Sequence, residues 1–258
     1  ELAASTISGT ASFDSTDNAI TDSGTLAITG AITIDAGTAD ITLDETASTF
    51  GALALTGANV AVTENDATEL AASTVSGTFD ITSGGAITNS GALAITGAST
   101  FTNTDGTNDA ITLNNAGNAF TGTVGFTTDS GSAVTVVDTT ALDLQALTAA
   151  SLSVTASGDV TDSGTLAITG ATTIDAGTGN ITLDEAASTF GALALTGANV
   201  AVTENAAMEL AASTISGTAS FDSTDNAITD SGTLAITGAT TIDAGTGNIT
   251  LDETASTF

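Results

Sequence analysis

Residues 1–50 return almost unchanged as residues 209–258, differing only where Ile32 becomes Thr240, Ala39 becomes Gly247 and Asp40 becomes Asn248. A chain that repeats itself tiles one surface over and over, whereas an enzyme gathers its chemistry at one unique place. The sequence starts and stops inside a repeat, as a segment of a longer array would.

The 208-residue period divides further. Thr21-Asp22-Ser23-Gly24, Thr88-Asn89-Ser90-Gly91, Thr161-Asp162-Ser163-Gly164 and Thr229-Asp230-Ser231-Gly232 head four units, near residues 21, 88, 161 and 229. Within them Gly30, Gly57, Gly77 and Gly97 each close one short apolar run and open another. Three such steps per unit give a mean step of about 23 residues, in the range of solenoids, propellers and arrays.

The local pattern is strand. Leu53 and Leu55, then Val60 and Val62, alternate with small or polar residues, and Gly, Asn, Asp and Ser separate the runs. No long segment has a 3.6-residue period. The chain contains no Pro, which suits a fold that uses nearly every backbone N–H in a ladder. The expectation is an all-β chain, a right-handed parallel β-helix (β-solenoid) of about 23 residues per coil, with 1–258 as one continuous rod. Coils stacked at roughly 4.8 Å would give a length on the order of 50 Å. An array of antiparallel sandwich domains is the alternative fold.

The copies sort the positions. Ile34, Ile174 and Ile242, with Phe101 in the divergent unit, are expected inside, as are Ile41, Ile111, Ile181 and Ile249, and Leu43, Leu113, Leu183 and Leu251. Position 32 drifts to Ser99, Thr172 and Thr240 and is expected outside or on the rim. Phe50, Phe120, Phe190 and Phe258 recur once per unit and are expected at a corner of the coil. Asp35 is expected opposite Thr63 or Glu64 and then Thr82 in the next coils, leaving like charges mostly unstacked.

Thirty acidic residues face no Lys, Arg or His. Along such a rod that is about one negative charge per ~2 Å, close to the ~1.7 Å of duplex DNA. The chain should therefore gather cations, and its fold should depend on ionic strength or divalent ions. Nucleic acid is excluded as a partner by the same charge. The chain lacks Cys, so no disulfide holds it together, and lacks Lys and Arg, so it offers trypsin no site. A lipid-facing barrel would need aromatic girdles, and neither Trp nor Tyr is present, so no membrane insertion is expected.

Runs such as Gly51-Ala-Leu-Ala-Leu-Thr-Gly57-Ala-Asn-Val-Ala-Val-Thr-Glu64 and Ser157-Gly-Asp-Val-Thr-Asp-Ser-Gly-Thr-Leu-Ala-Ile-Thr-Gly170 resemble the repeat region of filamentous-haemagglutinin-type adhesins, giant bacterial surface proteins. The resemblance implies a right-handed parallel β-helix, an extracellular, cell-surface location and a role in adhesion. The implied partners are further coils or copies of the chain, divalent cations and a neighbouring cell surface. A self-assembling filament subunit and a calcium-dependent binding module are the alternatives.

No catalytic residue is expected. Ser and Thr abound, but neither His nor Lys exists to activate a hydroxyl. The acidic pair Asp44/Glu45 recurs as Asp184/Glu185 and Asp252/Glu253, which is tiling, not a unique glycosidase site. No metal ligands are assigned. Calcium is the cation that Asn103-Thr-Asp105-Gly106-Thr-Asn108-Asp109 could take, followed by Asp14-Ser-Thr-Asp17-Asn18 and its copy Asp222–Asn226. Asx-turns at coil corners are the plainer reading of those loops. Thr33 and Thr42 could form ice-binding ladders, but Thr is in any case a good strand former.

Overall fold

The computed structural model describes residues 1–104, 106–128 and 131–258. It divides into two bodies, Glu1–Ser132 and Ala133–Phe258. Each is a parallel β-solenoid; the described residues include no helix, and successive turns lie about 20 residues apart, about 12 turns in all.

In the first body the turns stack in rows. Ser5–Ile7, Leu26–Ile28 and Thr49–Phe50 form one row. Ala11–Asp14, Ile32–Asp35 and Leu53–Gly57 form a second. Ile20–Thr21, Ile41–Leu43, Val60–Glu64, Phe79–Ser83, Ser99–Asn103 and Thr123–Thr127 form the third. Every pairing is parallel and in register, so like positions pile up. Ile20, Ile41, Val60 and Phe79 make one inward column; Leu43, Val62, Ile81, Phe101 and Phe126 make another.

These columns are the core. Removing each aliphatic side chain from water contributes about 1.5–3 kcal/mol, and a single turn has no second layer to do it with. Phe101 is the centre of an aromatic cluster, with ring centroids 5.8 Å from Phe79, 6.1 Å from Phe120 and 5.8 Å from Phe126. The inward expectations hold for Ile34, Ile174, Phe101, Ile41, Ile111, Ile181, Leu43, Leu113 and Leu183, all buried. Phe50, Phe120 and Phe190 are buried as well. In the last turn Ile242 and Leu251 are half-buried, and Ile249 and Phe258 are exposed.

Position 32 corrects the reading of polarity drift. Ile32, Ser99 and Thr172 are all buried, and Thr240 is half-buried. Strand parity fixes this side: residue 32 lies two positions before Ile34 and must point the same way. Ser and Thr are small enough to stand in the column, and the hydroxyls of Ser99, Thr172 and Thr240 then lie buried without a partner.

The partners of Asp35 differ from expectation, although like charges are mostly unstacked, as at Asp175 between Thr155 and Thr196. Asp35 sits opposite Thr56 above and Asp14 below. Its copy Asp243 sits opposite Asp222. These carboxylates tolerate each other because each Oδ1 accepts a backbone N–H two residues on: Thr16 for Asp14, Gly37 for Asp35, Thr224 for Asp222 and Gly245 for Asp243.

The rows also show how the repeat meets the turn. Ile20–Thr21 lies in the third row, but its copy Ile87–Asn89 stacks on Thr68–Leu70, which belongs above Leu53–Gly57 in the second. The cause is the five-residue strand Leu53–Gly57, which carries two short strands. Leu70 pairs with Leu53, while Thr74 and Val75 of Ser73–Val75 pair with Thr56 and Gly57. In the second body, likewise, Leu193–Gly197 carries Met208–Leu210 and Ser213–Ile215. Val160–Asp162 and its copy Ile228–Asp230 consequently fall in different rows. With turns about 20 residues apart, a 67- or 68-residue unit holds roughly three and a third turns, not three.

Candidate functional site

Where one long strand is followed by two short ones, the row ending in Thr49–Phe50 loses its next neighbour. The Phe50 N–H has no backbone carbonyl to meet and donates instead to Glu64 Oε1, 2.7 Å away. Glu64 ends the strand Val60–Glu64 with the parity of Val60 and Val62, so its side chain enters the core, where it is 2% exposed. In the second body Glu204 accepts the Phe190 N–H at 2.6 Å and is fully buried. A carboxylate thus stands in for a missing peptide carbonyl at both junctions.

The two sites are not identical. Thr68 gives Glu64 Oε2 a hydroxyl neighbour at 2.9 Å. Met208 stands at the equivalent position, and Glu204 Oε2 is buried with no partner. Burial pushes the Glu64 carboxyl up to about 7 against the opposing Phe50 N–H and Thr68 hydroxyl, and Asp66 adds to the rise. Burial pushes Glu204 up to about 7 as well, opposed by the Phe190 N–H.

A second recurring device holds the corner after the unit head. Asp22 Oδ1 accepts the Asp44 N–H at 3.0 Å, Asp162 the Asp184 N–H at 2.9 Å and Asp230 the Asp252 N–H at 2.9 Å. Nearby, Ser48, Ser188 and Ser256 accept the N–H of Leu26, Leu166 and Leu234. In the divergent copy both partners change together. Asn89 replaces the Asp, Asn118 replaces the Ser, Asn89 Nδ2 donates to Asn118 Oδ1 at 2.7 Å, and Asn118 still accepts the Leu93 N–H. Burial raises Asp162 to about 6, helped by the charges of Asp184 and Glu185, and raises Asp22 in the same sense.

The third device faces solvent. Asp159 Oδ1 accepts both the backbone and side-chain N–H of Asn180, Asn180 Oδ1 accepts both from Asn199, and Asn199 Oδ1 accepts the N–H and hydroxyl of Thr218. The same ladder runs through Asp40, Asn59 and Thr78 in the first body. Beside the Asp159–Thr218 ladder lies an open groove of about 360 Å³, with Thr161, Thr182, Ala201 and Ser220 along it. Its amides and hydroxyls can exchange hydrogen bonds with a polar surface, and Asp159, whose Oδ1 is taken up by Asn180, is the carboxylate in its lining.

The loops singled out from sequence are turns. Asp17 Oδ1 accepts the N–H and hydroxyl of Thr38 from the next turn, and Asn18 Nδ2 donates to the Ser15 and Thr16 carbonyls. Thr16 and Asp17, like Thr224 and Asp225, have positive φ. In the Asn103–Asp109 loop, Asn103 points inward and donates to the Gly85 carbonyl, and Asp109 Oδ2 accepts the Thr107 hydroxyl. Asp105 lies outside the described residues. Among the described residues no three His, Cys, Asp or Glu side chains group to hold a metal. Asp44, exposed beside half-buried Glu45, recurs as a corner held by Asp22.

Sequence reasoning overlooked Glu64 and Glu204, although parity gave the signal: in Val60-Ala-Val-Thr-Glu64 the Glu keeps step with the inward valines.

Four matches to repeats of unknown function (DUF5649) cover residues 1–56, 57–127, 131–196 and 197–258. The chain belongs to this family. No curated protein and no solved structure matches it. The DUF5649 repeats of this chain are therefore built as parallel β-solenoid turns, with the buried Glu and the Asx ladder each occurring twice among the described residues.

Proposed function

We propose that this chain is a structural and adhesive segment of an extracellular bacterial surface fibre, of the kind found in filamentous-haemagglutinin-type giant adhesins. The observation that carries the reading is duplication. The buried Glu, the Asp-and-Ser corner and the Asx ladder each recur, and none forms a unique constellation with an activated nucleophile or a paired acid and base. The work of such a segment is mechanical. Parallel ladders and an aliphatic core within each body resist unfolding, and repetition supplies length. The outward Asx ladders and Thr rows supply a polar surface for weak, repeated contact.

Two measurements on the intact chain test it. Beads coated with the protein should bind bacterial or host cells, or one another, more than beads coated with an acidic globular protein, in calcium and in chelator separately. Antibody against the chain should label unpermeabilised cells of the source organism. Beads that neither bind nor cluster would remove the adhesive role, and absence of surface label would remove the location.

A further inference from the structure

We infer that Glu64 is held in the fold as a neutral carboxylic acid that donates its proton to Thr68, so that closing this turn takes up a proton. Glu64 Oε2 lies 2.9 Å from Thr68 Oγ1, Thr68 Oγ1 lies 3.0 Å from Ser83 Oγ, and Ser83 Oγ lies 2.9 Å from the Asp66 carbonyl oxygen. Three oxygen–oxygen contacts of this length need three protons. The Thr68 and Ser83 hydroxyls supply two. A carbonyl has none to give, and the Gly85 N–H, 3.3 Å from Ser83 Oγ, lies outside the three links. The third proton belongs to Glu64, and the direction is then fixed: Glu64 donates to Thr68, Thr68 to Ser83, and Ser83 to the Asp66 carbonyl. Glu64 Oε1 remains free to accept the Phe50 N–H.

The electrostatics agree. The chain has no Lys, Arg or His to compensate a buried carboxylate. Asp66, in the adjoining loop, is the charge that acts on Glu64. Glu69 on Thr68–Leu70 and Asp80 on Phe79–Ser83 alternate outward and are exposed; Asp44 and Glu45 follow Ile41–Leu43 in an exposed and a half-buried position. No cation stands among these groups, and Asp66 is the one whose charge favours the protonated form of Glu64. Ionising Glu64 turns the Thr68 proton back toward the carboxylate and leaves one of the remaining contacts without a hydrogen. The loop Asn65–Ala67, held through the Asp66 carbonyl, is what this loosens. Glu204 lacks the chain because Met208 replaces Thr68, which makes it an internal comparison.

The test is Glu64→Gln in the full chain, with urea denaturation at pH 5 and pH 8. A glutamine keeps the Oε1 acceptor and offers Thr68 a permanent N–H. The expected result is near wild-type stability at pH 5 and a smaller loss than wild type on going to pH 8. A variant destabilised equally at both pH values, with the wild-type pH slope intact, overturns the proposal. Should the variant not fold, carboxyl-carbon NMR of wild-type Glu64 decides instead. A midpoint well above that of an ordinary glutamate supports the assignment, and a midpoint near 4.5 overturns it.

Discussion

Glu204 and Phe190 are joined by a hydrogen bond that a peptide carbonyl makes elsewhere in the ladder: the Phe190 N–H meets Glu204 Oε1 at 2.6 Å, and the other carboxyl oxygen meets nothing. Truncating the carboxylate leaves an unpaired N–H in the core and opens a void. Glu204→Ala is expected to destabilise the fold by about 2–3 kcal/mol, read from the urea midpoint at constant slope. An unchanged midpoint would mean that water replaces the carboxylate.

Acid should stabilise this protein. Glu64 and Glu204 are raised from 4.5 to about 7, and Asp162 from 3.8 to about 6, all by burial. For a group whose folded value is the higher one, the folded state binds the extra proton. The contribution is full below the unfolded value and is lost as pH rises through the folded one, between about 4 and 7 here. Each group accounts for roughly 3 kcal/mol. Stability should therefore rise from pH 8 to pH 5, and should still rise in 1 M salt, which screens the surface self-repulsion but not the buried groups. Stability that falls over this range would show the carboxylates to be ionised in the fold.

Thr172→Val should be a gain. The Thr172 hydroxyl is fully buried without a partner, and the branched side chain otherwise fits the column under Leu193. Removing an unsatisfied hydroxyl while keeping the shape is expected to add about 1 kcal/mol. A lower melting temperature would mean that a bound water satisfies the hydroxyl.

Gly97→Ala should be a loss, because a Cβ there would stand 2.4 Å from the Gly77 carbonyl oxygen, and backbone has to move to admit it. Gly9→Ala is the control, since nothing lies within 4 Å of its Cβ position. The first is expected to cost more than about 2 kcal/mol and the second to be neutral, compared by thermal melting.

Asp40→Asn should be nearly silent. Only Oδ1 of Asp40 is used, and Asn180 performs the same task two units later. Asn59→Ala removes the acceptor for the Thr78 N–H and hydroxyl and should cost about 1–2 kcal/mol. Faster amide exchange at Thr78 in the alanine variant alone would confirm the division of labour.

Strand identity and the parallel stacking were legible because Ile41, Leu43 and their copies repeat where the chemistry is purely apolar. Three things were less so. Position 32 drifts in polarity while strand parity keeps it inside; Thr172 shows that a solenoid column accepts a hydroxyl it cannot satisfy. Glu64 is obscured in the same way, its charge suggesting an outward side chain where parity with Val60 and Val62 turns it inward. The extra third of a turn was hidden because spacing between glycines counts sequence steps, whereas the number of short strands that one long strand carries is a matter of pairing. Leu53–Gly57 looks no different from its neighbours until Leu70 and Val75 are both found above it.

That extra third decides how a partner could hold on. Within each body, successive copies of a motif look out in directions about a third of the circumference apart, like the thread of a screw. A rigid flat surface laid along one side meets a given motif once and then meets its neighbours edge-on. A flexible polymer that winds with the thread meets every copy. Multivalent binding to these repeats would therefore select chains over plates.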